Sequence, residues 1–261
     1  MSANEGMQSI QEMVDSTGTR RGQVLLLTMC ALCLLCDGFD IQAMGYAAPA
    51  IRDAWSLETA VLGPVFSAGL AGIAIGAFAL GWLADRIGRR PSIISATLIF
   101  GVFTLCSAFA QNVNQLMAFR FLAGIALGGV MPNCIALVVE YSPVRQRATY
   151  ITAITCFFAI GGGLGGVTAA LLIPLVGWQA IFILGGLLPI ILAISMWAYL
   201  PESAQWMLRC GKGEAAIRST LRKVFPEQQA MSVDLSNSHV GMQRAKATVV
   251  DLFRDNRAAF T

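Results

Sequence analysis

Hydrophobic residues along the chain gather into six long runs separated by short polar breaks. The runs cover roughly residues 22–50, 60–83, 91–110, 115–139, 148–175 and 178–200. Each is long enough to cross about 30 Å of hydrocarbon as a helix rising 1.5 Å per residue. Residues 201–261 are polar by contrast. Within them Ile217, Leu221, Val224 and Phe225 recur at i, i+4, i+7 and i+8, which predicts a short amphipathic helix. A second short helix is expected over residues 248–253. The pattern predicts an all-α polytopic membrane protein with a tail (1–21), a six-helix bundle (22–200) and a polar segment (201–261).

Composition agrees. Of 261 residues, 56% are hydrophobic and only 13% charged. Soluble domains run at about 45–50% and about 25%. That imbalance excludes a disordered chain and argues against a soluble enzyme. The net charge of +3 is too small and too scattered for a nucleic-acid partner. Seven cysteines, six of them in apolar runs, are no secreted disulfide framework. His239 is the only histidine, which leaves almost no material for a His-based metal site or catalytic base. No cofactor is expected.

Charge placement gives an orientation. Sixteen of the 18 Lys and Arg residues lie on one side: in the tail, the second and fourth loops and the final segment. Only Arg52 lies on the other side, and Arg120 lies inside the fourth run. The positive-inside rule places both termini in the cytoplasm, across a cell inner (plasma) membrane. A signal peptide is the competing reading of the start, because Arg20 and Arg21 precede an apolar run. That run is far too long and carries two aspartates.

Ionisable groups in hydrocarbon are functional candidates by default. Three stand out: Asp37, Asp40 and Arg120. Asp37 and Asp40 are three residues apart, so both face one side of the first helix. Asp37 lies about 22 Å from Gly22, and Arg120 about 7 Å from Gln115 on an oppositely directed helix, by the same rise. All three therefore reach similar depth. They form either an ion pair that fixes helix register or a site where the acids exchange a proton and Arg120 holds an anion. Glu140, at the end of the fourth run beside Arg145 and Arg147, is either a solvated helix-end charge or part of a gate. Glycines in the second, fourth and fifth runs suit close helix packing. Gly161–Gly166 lacks the Lys-Ser/Thr of a phosphate loop. Cys30, Cys33 and Cys36 have a spacing conceivable for an iron–sulfur cluster, but no fourth ligand stands nearby and small apolar packing is the favoured reading.

Several motifs are more specific. Gly81-Trp82-Leu83-Ala84-Asp85-Arg86-Ile87-Gly88-Arg89-Arg90-Pro91 resembles the cytoplasmic loop motif of the major facilitator superfamily along its whole length. Arg120-Phe121-Leu122-Ala123-Gly124, Glu140-Tyr141-Ser142-Pro143 with Arg145 and Arg147, and Pro201-Glu202-Ser203 resemble further segments of that family. Asp37-Gly38-Phe39-Asp40 is similar to the first-helix motif of its aromatic acid:proton symporters. One departure is Gly177-Trp178-Gln179, where the family often has an arginine in third place.

The resemblance implies the N-terminal half of a twelve-helix fold, itself a 3+3 inverted repeat. It implies proton-coupled uptake of small organic anions such as benzoate or hydroxybenzoates, with Asp37 and Asp40 as proton sites and Arg120 binding or gating the anion. Phe39, Tyr46, Phe157 and Phe158 either contact an aromatic ring or pack helices. Gly81, Asp85, Arg86, Gly88, Arg89, Arg90, Glu140 and Arg147 would form the cytoplasmic gate, with Asp85 facing a helix N-terminus or an arginine. The chain would be a partial one, ending before an expected seventh helix, and its partners would be the anion, the proton, the bilayer and the missing C-terminal half. Transport of a sugar or a drug, or a non-transporting membrane sensor or assembly subunit, are the alternatives.

Overall fold

A computed structural model describes residues 3–16 and 21–225. The helix expected over 248–253 and His239 lie outside the described residues. Among the described residues, six helices are long and apolar enough to cross a bilayer. They fall within α2 (Arg21–Ala54), α3 (Gly63–Ile87), α4 (Arg89–Ser107), α5 (Val113–Glu140), α6 (Arg147–Val176) and α7 (Gln179–Tyr199). Before them comes α1 (Ala3–Ser16), and after them come α8 (Ala204–Arg209) and α9 (Glu214–Val224).

The packing shows the internal repeat. α2 lies against α6, α3 against α5, and α4 against α7. Exchanging α2–α4 with α5–α7 turns the first pairing into the second and the third into itself. It likewise turns the α4–α5 contact into the α7–α2 contact. Three is an odd number of spans, so the second triplet enters from the opposite side, as a 3+3 inverted repeat requires.

Glycines sit where the paired helices touch. A Cβ at Gly38 would lie 1.9 Å from the Phe158 carbonyl oxygen, and one at Gly161 2.0 Å from that of Leu35. A Cβ at Gly76 would lie 1.9 Å from the Ile125 carbonyl oxygen, and one at Gly128 2.2 Å from that of Ile73. Without a hydrophobic drive between helices in lipid, such backbone contact supplies the packing.

Two buried clusters divide the bundle. One, toward the basic end, includes Leu34, Phe100 and Leu137. It also takes in Ile217, Leu221, Val224 and Phe225 of the amphipathic segment, so α9 closes the bundle from below. Ile10, Met13 and Val14 of α1 are buried in it too. The tail thus contains a packed helix that was not expected. The second cluster, toward the other end, includes Phe39, Met44, Trp178 and Phe182.

Candidate functional site

Arg120 of α5 reaches Asp40 of α2 in the bundle interior. Its Nη2 donates to Asp40 Oδ1 at 3.1 Å and its Nη1 to Oδ2 at 3.3 Å. Thr104 of α4 closes the arrangement: its hydroxyl donates to Asp40 Oδ1 at 2.7 Å and accepts from Arg120 Nη2 at 2.8 Å. Asp40 is 2% exposed, Arg120 6% and Thr104 not at all. The guanidinium carbon also lies 5.1 Å from the centre of the Phe182 ring. Three helices, α2 and the consecutive pair α4 and α5, therefore contribute one residue each. Thr104 was missed from sequence because a threonine inside an apolar run carries no charge signal.

Asp40 and Arg120 also line a cavity of about 250 Å³ between α2, α3 and α5, walled by Met44, Val65, Phe66 and Gly69. The polar pair thus sits, with Gln42, on the wall of a mostly apolar space. Small-molecule sites are generally apolar with a few placed polar groups.

Asp37 is equally buried, at 3% exposed, yet its Oδ1 has no hydrogen-bond partner among the described residues. Arg120 Nε has none either. Placing both acids on one side of the helix was therefore insufficient to pair both: Arg120 takes Asp40 alone. Phe39 and Tyr46 do not line the cavity. Phe39 is buried beside Gly185. Tyr46 packs on Gly166 and donates its hydroxyl to the Gly162 carbonyl at 3.2 Å. The Phe158 backbone lies against Gly38, and Phe157 borders a separate apolar hollow with Leu27 and Tyr150. Cys30, Cys33 and Cys36 are buried free thiols, and no metal-holding group of His, Cys, Asp or Glu occurs among the described residues.

A second polar assembly occupies the basic end. Gly88 alone joins α3 to α4, with φ +107°. Only glycine takes that conformation readily. A Cβ there would also lie 2.5 Å from Glu202 Oε2. Gly81, the other glycine of this motif, would meet nothing within 4 Å. Glu202 Oε1 accepts from the backbone N–H of Arg89 at 2.9 Å, Arg90 at 3.0 Å and Ser203 at 2.8 Å. It therefore caps the start of α4, where an anion meets unpaired N–H groups and the positive end of the helix dipole.

Asp85 does not take that position, contrary to the expectation. Its residue is exposed, no ion pair involves it among the described residues, and its backbone carbonyl accepts from Trp206 Nε1 at 3.0 Å. Glu202 reaches the helix start instead because the chain returns there after α7. Arg86 stacks 3.7 Å from the centre of the Trp82 ring.

Glu140 is not solvated. It is 4% exposed, accepts from the Ser203 hydroxyl at 2.6 Å and from the Gln205 N–H at 2.7 Å. Its neighbour Tyr141 donates to the Glu202 carbonyl at 2.6 Å. Arg147 turns to the Val139 carbonyl and to Gln11 of α1 rather than to Glu140.

The profile of the Major Facilitator Superfamily matches residues 30–250. The chain belongs to this superfamily. It is 40% identical over 223 residues to the 4-hydroxybenzoate transporter PcaK of Pseudomonas aeruginosa, covering 85% of this chain and 50% of that protein. It is 41% identical over 215 residues to the gallate transporter of Pseudomonas putida, covering 82% and 48%. The chain thus spans about half the length of the relatives it matches. Among solved structures, the proton:xylose symporter XylE superposes with a TM-score of 0.70 at 19% identity, over 80% of this chain and 51% of that one. At that identity the superposition speaks for the fold: the six helices form one half of a superfamily fold in an integral membrane protein. The superfamily is one of transporters, not of enzymes.

Proposed function

We propose that this chain supplies the N-terminal half of a proton-coupled symporter that carries small aromatic carboxylates by alternating access. The supporting observation is the buried Asp40–Arg120–Thr104 cluster on a cavity wall, with the unpartnered Asp37 one helical turn away. The chain's likeness to transporters named for 4-hydroxybenzoate and gallate supplies the substrate class. An arriving carboxylate competes with Asp40 for Arg120, since a guanidinium binds either carboxylate through the same paired donors. Asp40, released from its partner, and Asp37, buried without one, then take protons, because an uncompensated carboxylate is costly in a low-dielectric interior. Anion binding and proton uptake are coupled in this way. Phe39 and Tyr46 support the walls of the α2–α6 and α2–α7 contacts.

The basic end faces the cytoplasm of the inner membrane, following the charge bias. There Gly81, Asp85, Arg86, Gly88, Arg89, Arg90, Glu140 and Arg147 form the half of a gate that this chain carries, opposite a C-terminal half. Uptake of labelled 4-hydroxybenzoate into vesicles with an imposed proton gradient tests the reading. Uptake should rise with inward proton flow and vanish in Asp37→Asn. Proton-driven uptake that survives Asp37→Asn, or competition by sugars instead of aromatic acids, overturns it.

A further inference from the structure

A second cavity, unused by the charge cluster, lies between the first three turns of α4 and the last two turns of α7. It holds about 430 Å³ and is lined by Ile87, Pro91, Ile94, Leu98, Ile194 and Trp197. Its rim is open: Ile87 is 42% exposed, Leu98 40%, Ile194 66% and Trp197 71%. Six helices among the described residues are long and apolar enough to cross a bilayer, α4 and α7 among them, so an exposed apolar slot between these two meets hydrocarbon. From Pro91 to Leu98 the slot descends roughly 10 Å from the basic end, by the rise of a helix. That keeps it within one leaflet, about half of the 30 Å core.

The mouth of this slot is held by Arg90. Its Nη2 donates to the carbonyl of Trp197, a lining residue, so the guanidinium sits at the top of the groove. Its Nε is buried and has no acceptor. Among the described residues it makes no ion pair, and the Glu202 carboxylate beside it accepts from three backbone N–H groups through Oε1. Asp85 and Glu140 are the other acids of this end: Asp85 is exposed, and Glu140 accepts from the Ser203 hydroxyl and the Gln205 N–H rather than from Arg90. A basic rim above an apolar slot is complementary to an amphiphile with an anionic, oxygen-rich head. Trp82 and Trp197, both largely exposed, mark the depth at which head groups meet hydrocarbon.

We propose that this groove binds one acyl chain of an anionic phospholipid, with the phosphate on the Arg90 guanidinium. A second copy of the chain is a poorer occupant. Inserted in the same orientation, it would bring an identical arginine-rich rim against this one. A bound lipid would hold the start of α4 to the end of α7, so its loss frees the end of the helix that carries Thr104.

The test is retention of phosphatidylglycerol against phosphatidylcholine by the full chain, released from mixed-lipid nanodiscs and weighed by native mass spectrometry. Wild type should favour phosphatidylglycerol by about fivefold, the effect of one basic residue at an anionic surface. Arg90→Gln should lose that preference, and Arg90→Lys should keep most of it. Ser95→Trp, which fills the slot and leaves Arg90 in place, should lose bound lipid of both kinds. Equal retention of the two lipids by wild type overturns the proposal. So does unchanged phosphatidylglycerol retention in Arg90→Gln and Ser95→Trp, or a Leu98→Cys variant that crosslinks copy to copy with no lipid bound.

Discussion

The bundle interior buries Asp37 and Asp40, and the basic end buries Glu140 and half-buries Glu202, but the two regions satisfy their carboxylates differently. In the interior, Asp40 is met by a charge and a hydroxyl, and Asp37 keeps an unpartnered oxygen. At the basic end, Glu140 and Glu202 are met by backbone N–H groups of α4 and α8 and by the Ser203 hydroxyl. Backbone donors at a helix start are held in place by the helix and cannot swing to another acceptor, so those acids act as joints that anchor the helix starts. A guanidinium can exchange one carboxylate for another with no change in the fold. A movable partner is what a coupling site needs, and an immovable one is what a hinge between helices needs.

Single substitutions should separate the two kinds of site. The largest loss is expected from Asp40→Ala with Arg120 retained, about 3–5 kcal/mol, because a buried guanidinium is left uncompensated. Adding Arg120→Met should restore most of it. Unfolding in detergent measures both, and losses that simply add would mean the two side chains are not a pair. Next comes Thr104→Val, which removes hydrogen bonds to charged groups at nearly constant shape and should cost about 1.5–3 kcal/mol. Thr104→Ser should recover it; a serine variant as weak as valine would show that the hydroxyl alone does not account for the role of Thr104.

Glu202→Ala should cost about 0.5–2 kcal/mol, the usual range for losing a helix cap. Hydrogen exchange should quicken at Arg89 and Arg90 while the interior amides of α5 keep their protection. Exchange that quickens throughout the bundle would show that the basic end is not an independent joint. The smallest stability effect belongs to Asp37→Asn. It should leave unfolding unchanged or raise stability by about 1 kcal/mol, since the acid it replaces lacks a partner. A large destabilisation would show that Asp37 is a structural acid like Glu140, and the contrast between the two regions would fail.

Much of this layout is legible along the chain. Hydropathy and the rise of a helix are one-dimensional, so six spans and the common depth of Asp40 and Arg120 can be counted directly. The loop motif likewise marks Gly88, whose positive φ is a local property. Thr104 escaped notice, and Glu202 stood in a motif without its capping role being read, for a different reason. Thr104 matters only because α4 turns it toward α2 and α5. Glu202 matters only because the chain returns after α7 to the start of α4. The packed helix α1 had a readable signal, Ile10, Met13 and Val14 at helical spacing, masked by the polar residues around it.

The sequence by itself determined how many helices cross the membrane, the bias of charge to one end and the superfamily to which the chain belongs. Only the tertiary structure decided that Arg120 takes Asp40 and leaves Asp37 alone, and that Glu202, not Asp85, caps α4. The physical reason is rotation. Periodicity places residues on a helix face, but which face meets which neighbour is set where backbones touch. Here those points are glycines such as Gly38 against Phe158 and Gly76 against Ile125, and they join parts of the chain far apart in sequence.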